Sequence, residues 1–195
     1  PREQRQIEQL TSSWDQIGDI RRNYKVEIEA NMFRFVFPEH PLNMVSRWSV
    51  GSDKDSIIKR AAFNGMGLVI WQDVFGAWLP FSNKQKQQIK KLKNVLNKYH
   101  NIIFGSNSIP LIETLSNGLI CNQFCNDNNQ KIFAIYNFTN KSIKGPLVAL
   151  EPIVKTKFQQ IFGIKTNLQI KKIKKINTIF GTIPADEVIL IYVKY

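Results

Sequence analysis

The chain has 195 residues, 43% of them hydrophobic, which is enough for one or two compact units with their own cores and excludes disorder as the default state. Lys and Arg number 27 against 15 Asp and Glu, a formal charge of +12. No apolar run reaches the roughly 18 uninterrupted residues of a membrane span, and a complete eight-stranded α/β barrel ordinarily takes about 250 residues, so the expectation is a soluble protein with no membrane partner that holds at most part of a barrel.

In chain order, residues 3–22 carry Ile7, Leu10, Trp14, Ile17 and Ile20 at three- and four-residue spacing, the stripe of an amphipathic helix. Met-Phe-Arg-Phe-Val-Phe at 32–37 is a short aromatic and β-branched run closed by Pro38 and predicts a strand ending in a loop, Pro38-Glu39-His40-Pro41. Ser52 or Asp53 caps a helix to about Phe63 that buries Ile57, Ile58, Ala61 and Ala62 and ends at Asn64-Gly65. Gly67-Leu-Val-Ile-Trp71 then reads as a strand buried on both faces of a parallel sheet, with Gln72 and Asp73 at its C-terminal end. Ser82 with Gln85 forms a capping-box pattern for a helix whose apolar stripe is Ile89, Leu92, Leu96 and Tyr99 and which Gly105 stops.

From Gly118 the pattern changes to short extended runs divided by Asn- and Asp-rich turns: 119–125, 131–138, 144–150, 168–173 and 188–193. The fold class expected is α/β followed by all-β. Residues 1–110 form βα units, and residues 111–195 form a small antiparallel β-sandwich.

The positive charge would ordinarily suggest nucleic acid or an acidic membrane. The lysines, however, accompany many Asn and Ile residues, as an AT-biased coding sequence produces. Segments 84–98 and 165–175 also lack the interleaved aromatics of a single-strand platform and any helix-turn-helix spacing. Solvated lysine faces are expected and nucleic acid is not. Cys121 and Cys125, four residues apart, lie roughly 13 Å apart on an extended strand and cannot bridge each other there. With only His40 and His100 besides, no metal site is expected. The triplets Asn137-Phe138-Thr139 and Asn140-Lys141-Ser142 would permit glycosylation in a secreted eukaryotic protein, although such triplets arise by chance in an Asn-rich chain. The compartment is left open.

The stretch Ala61-Ala-Phe-Asn-Gly-Met-Gly-Leu-Val-Ile-Trp-Gln-Asp-Val-Phe-Gly-Ala-Trp78, followed by a charged helix and a β-module, resembles the last barrel strand and helix of glycoside-hydrolase-like proteins. Phe35-Val-Phe-Pro-Glu-His-Pro-Leu-Asn-Met-Val-Ser-Arg-Trp48 resembles the end of the preceding strand, and Thr182-Ile-Pro-Ala-Asp-Glu-Val-Ile-Leu-Ile191 the closing strand of the accessory domain beside such barrels. The resemblance covers residues 30–195. It implies the C-terminal βα units of an incomplete (β/α)8 barrel with a trailing β-sandwich, a carbohydrate substrate or ligand, no cofactor, and an active site at the C-terminal ends of the strands. Such families usually draw catalytic groups from earlier strands, so an N-terminal barrel segment is an expected partner of this chain.

Glycoside hydrolysis commonly uses two carboxyl groups flanking the scissile bond. On this reading Glu39 is the candidate nucleophile or base and Asp73 the candidate acid or orienting group, because both would follow consecutive parallel strands at one sheet edge. Sugar rings present apolar C–H faces, so Trp48, Trp71 and Trp78 are candidate platforms, with His40, Arg47 and Gln72 as polar contacts. Core packing is the favoured account of Trp71, which ends a strand expected to be buried, and turn stabilisation accounts equally with substrate contact for His40. The alternatives are a non-catalytic carbohydrate-binding or interaction module and, from a third class, a basic nucleic-acid-binding protein. Gly65-Met66-Gly67 is not a phosphate loop, since the order is helix, glycines, strand, and a tight turn with close packing explains it.

Overall fold

The computed structural model describes residues 13–15, 28–46, 54–70, 81–152 and 156–195. The chain divides into two compact units, Pro1–Lys98 and Tyr99–Tyr195, each considered by itself. It mixes helices and strands, with a parallel sheet in the first unit and antiparallel sheets in the second.

In the first unit, strands β1 (Ser13–Asp15), β2 (Leu42–Ser46) and β3 (Gly67–Ile70) form a sheet in that order, both pairs parallel. Helix α1 (Met32–Val36) precedes β2, helix α2 (Lys54–Asn64) links β2 to β3, and helix α3 (Asn83–Lys98) follows. Helix α2 packs on β2, β3 and α3. It buries Ile57, Ile58, Ala61, Ala62 and Phe63 beside the buried Leu42 and Met44 of β2 and Leu92 and Val95 of α3. Each large side chain so enclosed contributes roughly 1.5–3 kcal/mol.

Local chemistry sets the ends of these elements. Helix α2 stops at Gly65, whose φ of 62° suits a residue without Cβ. The Gly65 N–H donates to Ala62 O and the Met66 N–H to Ala61 O at 2.8 Å, a Schellman termination. A Cβ added at Gly67 would overlap Asn43 Oδ1 on its register partner, so close packing explains this second glycine. The capping box at α3 is present in both directions: the Ser82 N–H donates to Gln85 Oε1 at 2.9 Å and the Gln85 N–H to Ser82 Oγ at 3.2 Å.

Three expectations for this unit are corrected. Ser13–Asp15 is a strand inside the run read as an amphipathic helix, the rest of which lies outside the described residues. Residues 32–36 are helical rather than extended. The same aromatics fit a helix because Phe33 and Phe37 are four apart and stack at 4.7 Å, and Asn31 Oδ1 caps the Phe33 N–H at 3.1 Å. The strand comes later, at Leu42–Ser46, just beyond the expected loop 38–41 and in a stretch for which no element was expected.

In the second unit, helix α4 (His100–Ile103) precedes, among the described residues, eight strands: β4 (Ile109–Ile112), β5 (Leu119–Cys125), β6 (Gln130–Asn137), β7 (Ile143–Ala149), β8 (Lys157–Phe162), β9 (Gln169–Ile173), β10 (Ile176–Ile183) and β11 (Glu187–Lys194). Two antiparallel sheets result, ordered β4-β5-β6-β11-β8 and β7-β10-β9. One core draws on both. Cys121, Phe133, Ile135, Ile189, Ile191 and Val193 come from the larger sheet, and Leu147, Val148, Ile179 and Ile183 from the smaller. Strands β6 and β11 carry near-continuous buried runs rather than a polar alternation. The reason is that α4 packs on β5 and β6, and Tyr99 stacks on Tyr192 at 5.0 Å, so both faces of the larger sheet are covered there. The helix starting at Asn83 therefore ends at Lys98, short of Gly105. Gly105 is required where it stands because a Cβ there would overlap Cys125 O.

Candidate functional site

In a parallel sheet every strand ends on the same edge, and register makes that edge concrete. Asp15, the last residue of β1, pairs with Met44, and Ser46, the last of β2, pairs with Ile70, the last of β3. The chain continues from Ser46 into Arg47 and Trp48 and from Ile70 into Trp71, Gln72 and Asp73. Arg47, Trp48, Trp71, Gln72, Asp73 and Trp78 lie outside the described residues.

Glu39 and His40 sit elsewhere. They occupy the turn between α1 and β2 and precede that strand, which places them at the N-terminal edge of the sheet. The expectation that Glu39 follows a strand is thereby corrected, while its position relative to Asp73 lies outside the described residues. The surroundings of Glu39 are those of a turn residue. Its side chain is 67% exposed and its carboxylate lies 3.8 Å from His40 Nε2. The His40 N–H donates to Phe37 O at 3.1 Å, and its ring meets Phe37 edge-on. Arg34 Nη1 donates to Pro38 O at 3.3 Å. Burial lowers the Arg34 pKa to about 10, and the nearby Glu39 charge opposes that fall.

A buried polar network holds this corner. Asn64 Oδ1 accepts the Asn31 N–H at 2.8 Å, while its Nδ2 donates to Glu29 O at 2.9 Å and Arg60 O at 3.1 Å. Arg60 Nη2 donates to Glu29 Oε1 at 3.3 Å. The end of α2 is thus tied to the segment entering α1. This arrangement fixes structure and offers no open pair of carboxyl groups.

Asp15 is the carboxylate-bearing residue missed by the sequence reading, because a three-residue strand is too short to show a period of two and was absorbed into a helical stripe. Its backbone position at the end of β1 puts it on the same edge as the ends of β2 and β3.

Among the described residues no group of three or more His, Cys, Asp or Glu is arranged to hold a metal ion, and no helix is long and apolar enough to cross a membrane. Cys121 and Cys125 are free thiols, and burial pushes both thiol pKa values upward, which keeps them protonated and poorly nucleophilic.

No protein-family model and no curated protein matches the sequence. Solved structures do match. The chain is similar to the Nostoc punctiforme debranching enzyme, with a TM-score of 0.53 and 9% identity over 77% of this chain and 35% of that one. Weaker likenesses are to a β-L-arabinopyranosidase from Geobacillus stearothermophilus in complex with arabinose and to trehalose-6-phosphate hydrolase from Bacillus licheniformis. The first has a TM-score of 0.45 and 10% identity over 80% of this chain and 38% of that one. The second has a TM-score of 0.39 and 17% identity over 62% of this chain and 23% of that one. The chain thus spans little more than a third, at most, of the length of these enzymes. In fold it is similar to a part of a glycoside hydrolase.

Proposed function

We propose that this chain is the C-terminal part of a glycoside-hydrolase-like (β/α)8 barrel with a trailing β-sandwich, and that it binds carbohydrate at the C-terminal edge of its parallel strands. The observation that carries this reading is the parallel register, Asp15 with Met44 and Ser46 with Ile70, which brings three strand ends to one edge. In barrel enzymes substrate is bound and transformed at that edge, and the opposite edge serves stability. Fold likeness to part of a debranching enzyme supports the same reading.

On this reading Asp73 is the acid or orienting carboxylate, Asp15 is a second carboxylate of the edge, and Trp48, Trp71 and Trp78 are apolar platforms for sugar rings. Arg47 and Gln72 supply hydrogen bonds. Glu39 and His40 belong to the supporting turn. Hydrolysis requires a second carboxyl group about 5 Å from the first for retention, or further for inversion, and earlier barrel strands would contribute to that set.

The test is titration calorimetry of the chain against neutral oligosaccharides, α-galactosides and α-glucans included. Saturable binding that falls at least tenfold in Trp48→Ala and Trp78→Ala is expected. Absence of binding to every sugar, with the protein folded by circular dichroism, would remove the proposal.

A further inference from the structure

The two consecutive glycosylation triplets have opposite fates in the fold. Asn137 is fully buried at the end of β6. Its Nδ2 donates to Lys141 O at 2.8 Å, Pro184 O at 2.9 Å and Ile183 O at 3.1 Å, and its Oδ1 accepts the Thr139 N–H at 3.0 Å. The hydroxyl of Thr139 is also engaged, 2.7 Å from Asn137 Oδ1 and 2.9 Å from Lys141 O. A sugar on that nitrogen would displace three buried hydrogen bonds, so a chain modified at Asn137 cannot adopt this fold.

Three residues on, Asn140 is exposed, and so are Lys141 and Ser142. The backbone around it is held: the Phe138 N–H donates to Gly118 O at 3.2 Å and the Asp186 N–H to Thr139 O at 3.1 Å. Phe138, two residues before Asn140, leaves 56% of its surface open to solvent although it belongs to a unit with a well-filled core. An exposed aromatic ring two residues before an exposed acceptor amide, on a loop whose backbone is held, is an arrangement that the apolar C–H face of a sugar ring can cover.

We propose that Asn140 is an N-glycan acceptor and that Phe138 is the seat of the first sugar. The inference stands independently of the carbohydrate-binding reading. In the reaction, Asn140 Nδ2 attacks the anomeric carbon of a lipid-pyrophosphate-linked oligosaccharide. An N-glycosidic bond forms, the bond from that carbon to the pyrophosphate oxygen breaks, lipid pyrophosphate leaves, and the amide proton is released.

The test is secretion of the whole chain from a eukaryotic host behind a cleavable signal, with peptide mapping by mass before and after removal of N-glycans. One glycan at Asn140 and none at Asn137 is expected, with loss of the glycan in Asn140→Gln and in Ser142→Ala. The glycosylated protein should melt about 4 °C above the Asn140→Gln variant, the shift a modest surface contact gives in a domain of about 100 residues. In a Phe138→Ala background that difference should vanish. An unmodified Asn140, or a sugar on Asn137 in folded protein, would overturn the acceptor assignment. An equal melting difference with and without Phe138 would overturn the role of the ring.

Discussion

The two units reach order by different routes. In the second, β6 and β11 pair in unbroken register over eight residues, Gln130 with Lys194 through Asn137 with Glu187, and each strand buries most of its length. In the first, the parallel strands are only three, five and four residues long and depend on α2 and a buried polar network to hold their register. Antiparallel neighbours joined by short turns carry much of their specification locally, whereas parallel strands need a crossover before they can meet. The difference teaches where each unit is vulnerable: the second at its buried turn chemistry, the first at the polar clasp that ends α2.

Four variants sharpen that contrast. The largest effect is expected for Asn137→Ala, which takes the Asn137 amide donor from the buried carbonyl of Ile183 and the partly buried carbonyls of Pro184 and Lys141 and should destabilise the second unit by about 3–4 kcal/mol in denaturant unfolding. Asn64→Ala removes the clasp from Asn31 and Glu29 and should cost the first unit about 2–3 kcal/mol, read from the tryptophan fluorescence transition, since all four tryptophans precede residue 99. Equal loss in both units from either change would break the comparison. Ser82→Ala removes one arm of the capping box and should cost about 1 kcal/mol of the first unit's stability. The smallest effect is a gain. Lys174 and Lys175 turn the β9–β10 hairpin at φ of 48° and 69°, a backbone that Asn-Gly adopts with less strain. The pair Lys174→Asn and Lys175→Gly should raise the second unit's midpoint by the equivalent of about 0.5–1 kcal/mol.

Much of this was legible in the chain. The capping box at Ser82, the glycine termination of α2, the place of strand β3 and the alternation of turns and strands after Gly118 all rest on local chemistry, and local chemistry is what a sequence displays. The expected burial of β3 on both faces was not met, since its first three residues are half-buried and Ile70 is exposed. The losses have physical causes. Phe33 and Phe37 suit a strand by composition but sit four apart, and the cap from Asn31 and burial of Arg34 select the helix. Strand β8, Lys-Phe-Gln-Gln-Ile-Phe, and strand β10, with Asn177 and Gly181 inside it, are defined by pairing with β11 and with β7 and β9 rather than by their own patterning. Once the strand moved from 32–37 to 42–46, Glu39 passed from the C-terminal to the N-terminal side of the sheet. A shift of a few residues in a strand boundary therefore reassigns a catalytic candidate to a turn, and a separate misreading, of the three-residue strand β1 as part of a helix, hid Asp15.

The central claim is that carbohydrate is handled at the C-terminal edge and that Glu39 stands away from it. Its most direct test is the sugar affinity of Glu39→Gln and Asp73→Asn measured side by side against the unmodified chain. The account predicts that Glu39→Gln binds within twofold of the unmodified chain, while Asp73→Asn weakens binding about tenfold, the loss of one charged hydrogen bond to the ligand. Lost binding in Glu39→Gln with Asp73→Asn unaffected would contradict it and move the site to the opposite edge.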